Sequence, residues 1–289
     1  MGTGRVLRER MGQGLASVMS AHNPLSARLA EQAGFDGIWA SGFELSAAYG
    51  VPDASLLSMT QHLDMTRAMC DQVSIPVVAD LDTGYGNAIN VMHVVPAYER
   101  AGVGAVVIED KLFPKDTSLL AGGRQEMVRV EEFQGKIEAA RSVRRDPDLL
   151  IVARTEALIA GLGVDEALRR ATAYEAAGAD CVLVHSKSKV PDEILAFSAQ
   201  WKGRAPIVIV PTAYPDLTEA RIRDTGNIRM VIYGNHAIRA AVTEMQRVFA
   251  RIRADGGIHN VNRDIVSVEA IFDLQQVAAS KAAEKKFLR

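Results

Sequence analysis

One phrase recurs along this chain of 289 residues. Ala33-Gly34, Ala101-Gly102 and Ala177-Gly178 each stand three residues before a short apolar run rich in β-favouring side chains. Glycine ends helices because it enters left-handed backbone freely, so each phrase reads as a helix closing just before a strand. Strands are predicted at Gly14–Met19, Gly37–Ala40, from Ile75, and at Ala105–Ile108, Leu149–Ala153, Cys181–Val184, Ile207–Val210 and Met230–Tyr233. A helix follows each. The first opens at Asn23-Pro24, cap and first turn, and ends at Gly34. The others are placed near Thr60–Asp71, Asn90–Ala101, Glu131–Arg145, Asp165–Ala177, Pro191–Trp201, Leu217–Asp224 and Ala237–Ala254. Strand alternating with helix implies a parallel sheet, and eight such units imply a closed (β/α)8 barrel of the TIM type. An open doubly wound sheet is the alternative, but no Gly-x-Gly-x-x-Gly follows the first strand.

We expect one barrel domain over 1–289, the barrel itself over about 1–257 and a helical extension over about 258–289. A final helix is predicted over Asp264–Leu288, with an apolar stripe (Val268, Ile271, Leu274, Val277) and a tail carrying Lys281, Glu284, Lys285 and Lys286. A surplus amphipathic helix must cover something, and a neighbouring subunit is the natural candidate.

Composition excludes several function classes. The chain is 48% hydrophobic and 24% charged, an ordinary globular balance. Its net charge is −2 and its pI about 6.3, so no nucleic-acid surface is indicated. No apolar run approaches the roughly 20 residues of a membrane span. Arg5, Arg8 and Arg10 make the start basic, but no apolar stretch follows as in a secretory signal. Cys70 and Cys181 sit in apolar patterns without metal-type spacing, which suits a reducing compartment. A cytoplasmic protein is expected.

In a barrel of this kind the site lies at the carboxyl ends of the strands. There the sequence places Ser41-Gly42 after strand two, Asp80 and Asp82 after strand three, and Glu109 after strand four. Arg154 follows strand five and His185 strand six. Each strand interior is apolar and each end polar or ionisable. Side chains two apart on a strand point the same way, so Asp80 and Asp82 would repel each other unless a hard divalent cation lies between them. Three carboxylates with Arg and His describe a site for a metal and a doubly charged anion. Arg154 offers a forked donor for phosphoryl-type oxygens, and N–H groups around Ser41-Gly42 add to an anion nest. Lys115, Thr117 and Ser118 lie between Pro114 and the Gly122-Gly123 pair, on a loop that reads as a lid.

These pieces together resemble the phosphoenolpyruvate mutase/isocitrate lyase superfamily. The matching stretches are Trp39-Ala-Ser41-Gly42, Asp80-Leu-Asp82-Thr-Gly-Tyr-Gly86, Glu109-Asp-Lys111, Ala153-Arg-Thr-Glu156 and the strand ending in His185. The resemblance implies Mg2+, with Mn2+ or Co2+ as substitutes, held by Asp80, Asp82 and Glu109, and a 2-oxo acid or its enolate as substrate. It also implies a homodimer or homotetramer that exchanges the terminal helix, with no nucleic-acid or membrane partner. The carbon–carbon lyases carry a Cys acid/base in the loop after strand four. Here that loop reads Lys115-Asp-Thr-Ser118, without Cys, and differs from the Lys-Thr-Asn-Ser of the mutases. It looks like the hydrolytic branch, which splits the P–C bond of phosphonopyruvate to pyruvate and phosphate, as do Phe43 and Glu44. On that resemblance Thr117 orients or delivers the attacking oxygen, and Lys115, Arg154, His185 and Asp53 are catalytic. Trp39, Ser41, Gly42, Phe43, Asp80 and Ser118 bind substrate together with Arg154 and His185. Alternatives are a mutase acting on the same compound, a carbon–carbon lyase of oxo- or hydroxy-diacids, and a non-catalytic anion-binding barrel.

Overall fold

The computed structural model describes residues 2–288. Eight strands, all parallel, close into a barrel in chain order, with β8 pairing back to β1. They are β1 Ala16–Ala21, β2 Gly37–Ala40, β3 Val77–Asp80, β4 Ala105–Glu109, β5 Leu150–Thr155, β6 Cys181–Val184, β7 Ile207–Ile209 and β8 Ile228–Tyr233. The helices are α1 Thr3–Gln13, α2 Pro24–Gln32, α3 Gly42–Ala48, α4 Met59–Cys70, α5 Ala88–Arg100, α6 Val130–Val143, α7 Gly163–Ala176, α8 Asp192–Gln200, α9 Glu219–Asp224, α10 His236–Asp255, α11 Val268–Leu274 and α12 Val277–Phe287. The chain divides into two compact units, 1–238 and 239–289. The first unit thus ends inside α10.

The (β/α)8 expectation holds, and α2 is capped as anticipated. The Asn23 side chain accepts from Ser26 N at 2.8 Å, and Ser26 Oγ returns the bond. The apolar alternation of the strands sorts side chains into two layers. Ile38, Ala40, Val77, Ala79, Val106 and Ile108 pack outward against helices. Trp39, Val78, Val107, Val152, Leu183, Val208 and Ile232 fill the barrel interior. Because the period is two, the next inward positions are Ser41, Asp80, Glu109, Arg154, His185, Val210 and Gly234. One rule therefore delivers the polar set to one mouth of the barrel.

The structure differs from the sequence reading in three places. Residues 3–13, read only as a basic start, form α1, whose Leu7 and Met11 join the barrel's interior core. The stretch after β2, where the first predicted helix lies near Thr60–Asp71, opens with α3, because Ser41 caps it by accepting from Glu44 N at 3.2 Å. The single terminal helix is two, α11 and α12, broken where Gln276 turns into left-handed backbone (φ 57°).

Candidate active site

The loop leaving β3 sets the site's floor. Asp82 and Tyr85 hold positive φ (50° and 57°), as do Gly84 and Gly86. A left-handed non-glycine residue is uncommon and is concentrated at functional positions. At Gly42 a side chain would crowd this floor, since a Cβ there would lie 3.1 Å from Asp82 Oδ1 and 3.3 Å from Asp80 Oδ2. The Gly42 N–H donates to Asp80 Oδ2 at 3.2 Å. Here that N–H, expected in an anion nest, is taken up by the carboxylate.

A cavity of about 320 Å³ opens at the mouth. Trp39, Ser41, Phe43, Asp53, Asp80, Lys115, Thr117, Ser118, Arg154 and His185 line it. Gly42, Asp82 and Glu109 stand behind this lining. Val210, Thr212, Gly234 and Asn235 also line it and went unassigned; they follow β7 and β8, where the strand-end rule applied to strands two to six would have found them. Glu156 was quoted in a motif without a role, yet it is the carboxylate that fixes Arg154. Its Oε1 accepts from Arg154 Nε at 2.6 Å.

Asp80, Asp82, Glu109 and Asp53 gather at this end, but not as a closed set of ligands. Among the described residues no three His, Cys, Asp or Glu side chains are grouped so as to hold one ion. The Lys115 ammonium stands among them instead, 2.5 Å from Asp82 Oδ1, 3.3 Å from Asp53 Oδ1 and 3.7 Å from Glu109 Oε1. The donor set nevertheless suits a hard cation. Neither oxygen of Glu109, only 1% exposed, accepts a hydrogen bond. Five carboxylates (Asp53, Asp80, Asp82, Glu109, Glu156) face three cations (Lys111, Lys115, Arg154). Burial pushes the Asp80 carboxyl up and the Asp82 carboxyl to about 7, against the pull of Lys115. Added positive charge is what such a cluster lacks.

Arg154 organises the opposite wall. Its Nη2 lies 3.0 Å from both Ser118 Oγ and His185 Nδ1, and its Nε lies 3.3 Å from Glu109 Oε2. His185 Nδ1 also lies 3.4 Å from Glu156 Oε1; a guanidinium only donates, so with the shorter Arg154 bond made Nδ1 accepts and the ring carries its proton on Nε2. Burial keeps this imidazole neutral by lowering its pKa, the nearby Glu156 opposing. Its Nε2 is buried without a protein partner and is available to donate to a bound anion. Thr117 Oγ1 stands 3.5 Å from Asp53 Oδ2. No thiol serves this site: burial pushes Cys70 and Cys181 up to about 12, and neither lines the cavity.

A barrel whose mouth joins clustered carboxylates, a buried Arg–His pair and a hydroxyl-bearing loop is the site of an enzyme built to hold a cation and an anion side by side. Residues 7–253 match the family model described as phosphoenolpyruvate phosphomutase, and the chain belongs to that family. It is 59% identical over 286 residues, 99% of each chain, to a phosphonopyruvate hydrolase of Variovorax sp. (strain Pal2). It is 46% identical to a phosphoenolpyruvate phosphomutase of Tetrahymena pyriformis, over 95% of this chain and 91% of that one. A crystal structure of phosphonopyruvate hydrolase in complex with oxalate and Mg++ superposes over the full length of both chains, with a TM-score of 0.95 and 57% identity.

Proposed function

We propose that this chain is a Mg2+-dependent hydrolase that converts phosphonopyruvate and water to pyruvate and phosphate. The observation that carries the reading is the 59% identity, sustained over 99% of both chains, with the Variovorax phosphonopyruvate hydrolase. Asp80, Asp82 and Glu109 would hold the metal, directly or through water. When bound, it supplies Lewis-acid stabilisation of the negative charge that P–C cleavage leaves on the 2-oxo acid fragment. Arg154 and His185 Nε2–H hold the phosphonyl oxygens as charge shifts in a loose transition state. Ser41, Phe43 and Ser118 line the grip, with Trp39 forming its apolar wall. Lys115 neutralises the carboxylates beside it. Thr117, next to Asp53, orients the water whose oxygen bonds phosphorus, or attacks phosphorus itself before water does. The P–C electron pair leaves with carbon, which then takes a proton.

The protein is further proposed to act in the cytoplasm, on its two unbridged cysteines, and as a homodimer or homotetramer in which the helices after the barrel are exchanged between copies. The test of function is a matched assay of both products. Phosphate and pyruvate are expected one for one with Mg2+, neither is expected with a chelator, and Thr117→Ala is expected to lower kcat by about 10²-fold. Accumulating phosphoenolpyruvate would contradict the reading.

A further inference from the structure

Lys111 ends the motif Glu109-Asp110-Lys111 and has no part in the chemistry above. It is 1% exposed. An ammonium has three N–H donors, and three acceptors surround this one: Asp116 O at 2.8 Å, Ser118 Oγ at 2.9 Å and Glu156 Oε2 at 3.3 Å. The Ser118 hydroxyl is equally committed. It donates to Glu156 Oε2 at 2.6 Å and accepts from Arg154 Nη2 at 3.0 Å. Two of the three acceptors of Lys111 thus belong to residues 116 and 118, on either side of Thr117. The ends of the loop are clipped separately, by Leu112 N to Glu126 O at 3.0 Å and Val128 N to Asp110 O at 2.9 Å. Between those clips the loop's apolar side chains are only partly covered: Leu112, Phe113, Leu119 and Leu120 are each at least 40% exposed, and the last two lie along the cavity. Apolar packing therefore contributes little to holding the loop down.

We propose that Lys111 is a positioning residue that latches the 116–118 segment over the cavity and thereby sets where Thr117 stands. A buried ammonium sharing a carboxylate with Arg154 ties the loop to the same group that fixes the anion-binding wall. Loop position and Arg154 orientation are then coupled through Glu156.

The proposal rests on the hydrolase reading for its kinetic arm alone. The test compares wild type with Lys111→Met, which keeps length and loses every donor. Hydrogen exchange of the whole chain is followed without substrate, beside steady-state kinetics with phosphonopyruvate. Expected in the variant are exchange at least ~10-fold faster at the amides of 115–120, unchanged exchange in the barrel strands, and a kcat lower by about 10²-fold with KM moved less than about threefold. Unchanged loop exchange, faster loop exchange with kcat retained, or uniformly faster exchange through the strands would each overturn it. Ser118→Ala removes the hydroxyl's bonds to Lys111, Arg154 and Glu156 while leaving the ammonium and its bond to Asp116 O in place. Because Ser118 also lines the grip, this variant is read by exchange alone, with faster exchange at 115–120 and unchanged strands expected, so the proposal stays testable if Lys111→Met does not fold; unchanged loop exchange would overturn it. Because the exchange arm needs no turnover, absence of hydrolase activity in the wild type would sink the functional reading and leave the latch to be judged by itself.

Discussion

Arg154 contacts Glu156, Ser118 and His185 and lies beside Glu109, all through one planar group. Lysine carries the charge but not the fork. Arg154→Lys is therefore expected to lower kcat/KM by at least ~10²-fold, measured at steady state; a loss below tenfold would deny the guanidinium its role. His62 shows how burial, as the leading cause, makes a residue respond to pH. It is 2% exposed, with Nδ1 2.8 Å from Tyr98 OH and Nε2 3.3 Å from Ala40 O. Burial lowers its pKa from 6.5 to about 4. Above pH 6.5 the ring is neutral whether the chain is folded or not. Between pH 6.5 and 4 the unfolded chain takes up a proton that the folded one refuses. Stability must fall through that window by up to about 3 kcal/mol from this residue. In urea unfolding at stepped pH, His62→Gln is expected to flatten the decline, and parallel curves would contradict the assignment.

The elements differ in how plainly they announce themselves. Strands β2 and β6 stand where the apolar runs predicted them, because both faces of each are buried and the runs are unbroken. α1 was illegible because Val6, Leu7 and Met11 are its only long apolar side chains in a run otherwise polar or glycine. Its contribution is tertiary, Leu7 and Met11 entering the barrel interior. Leu7 is fully buried, so Leu7→Ala is expected to cost about 2–5 kcal/mol in chemical denaturation with kcat per folded molecule unchanged. A cost under 1 kcal/mol would mean that α1 does not complete the core. α3 was missed for a different reason. Its cap, Ser41, was read as an anion ligand, and at seven residues the helix is too short to show a period. The lid loop was legible as a loop, but not its latch: Lys111 next to Asp110 looks like a solvated turn until the fold buries it.

At the scale of the whole molecule, the polar set was readable because one rule, inward parity carried to the last strand residues and one step beyond, acts alike on Asp80, Glu109, Arg154 and His185. What could not be read was the contacts that cross the barrel mouth, such as Lys115 with Asp53 and Asp82. The second unit, 239–289, raises a question of assembly. Of α10 only Ile238 is buried, α11 and α12 bury nothing, and Phe249, Val266, Val268 and Phe272 are exposed. Apolar side chains displayed on so many turns suit a surface covered by another copy. Sedimentation is expected to give a dimer or tetramer, shifted toward monomer by Phe249→Asp with Phe272→Asp; a monomeric wild type would refute the exchange. The central claim is tested most directly by a ³¹P NMR time course of phosphonopyruvate with the protein and Mg2+, repeated with chelator. The account predicts that the phosphonate signal gives way to inorganic phosphate, and only when metal is present. A phosphoenolpyruvate signal in its place, or phosphate appearing equally fast in chelator, would contradict it.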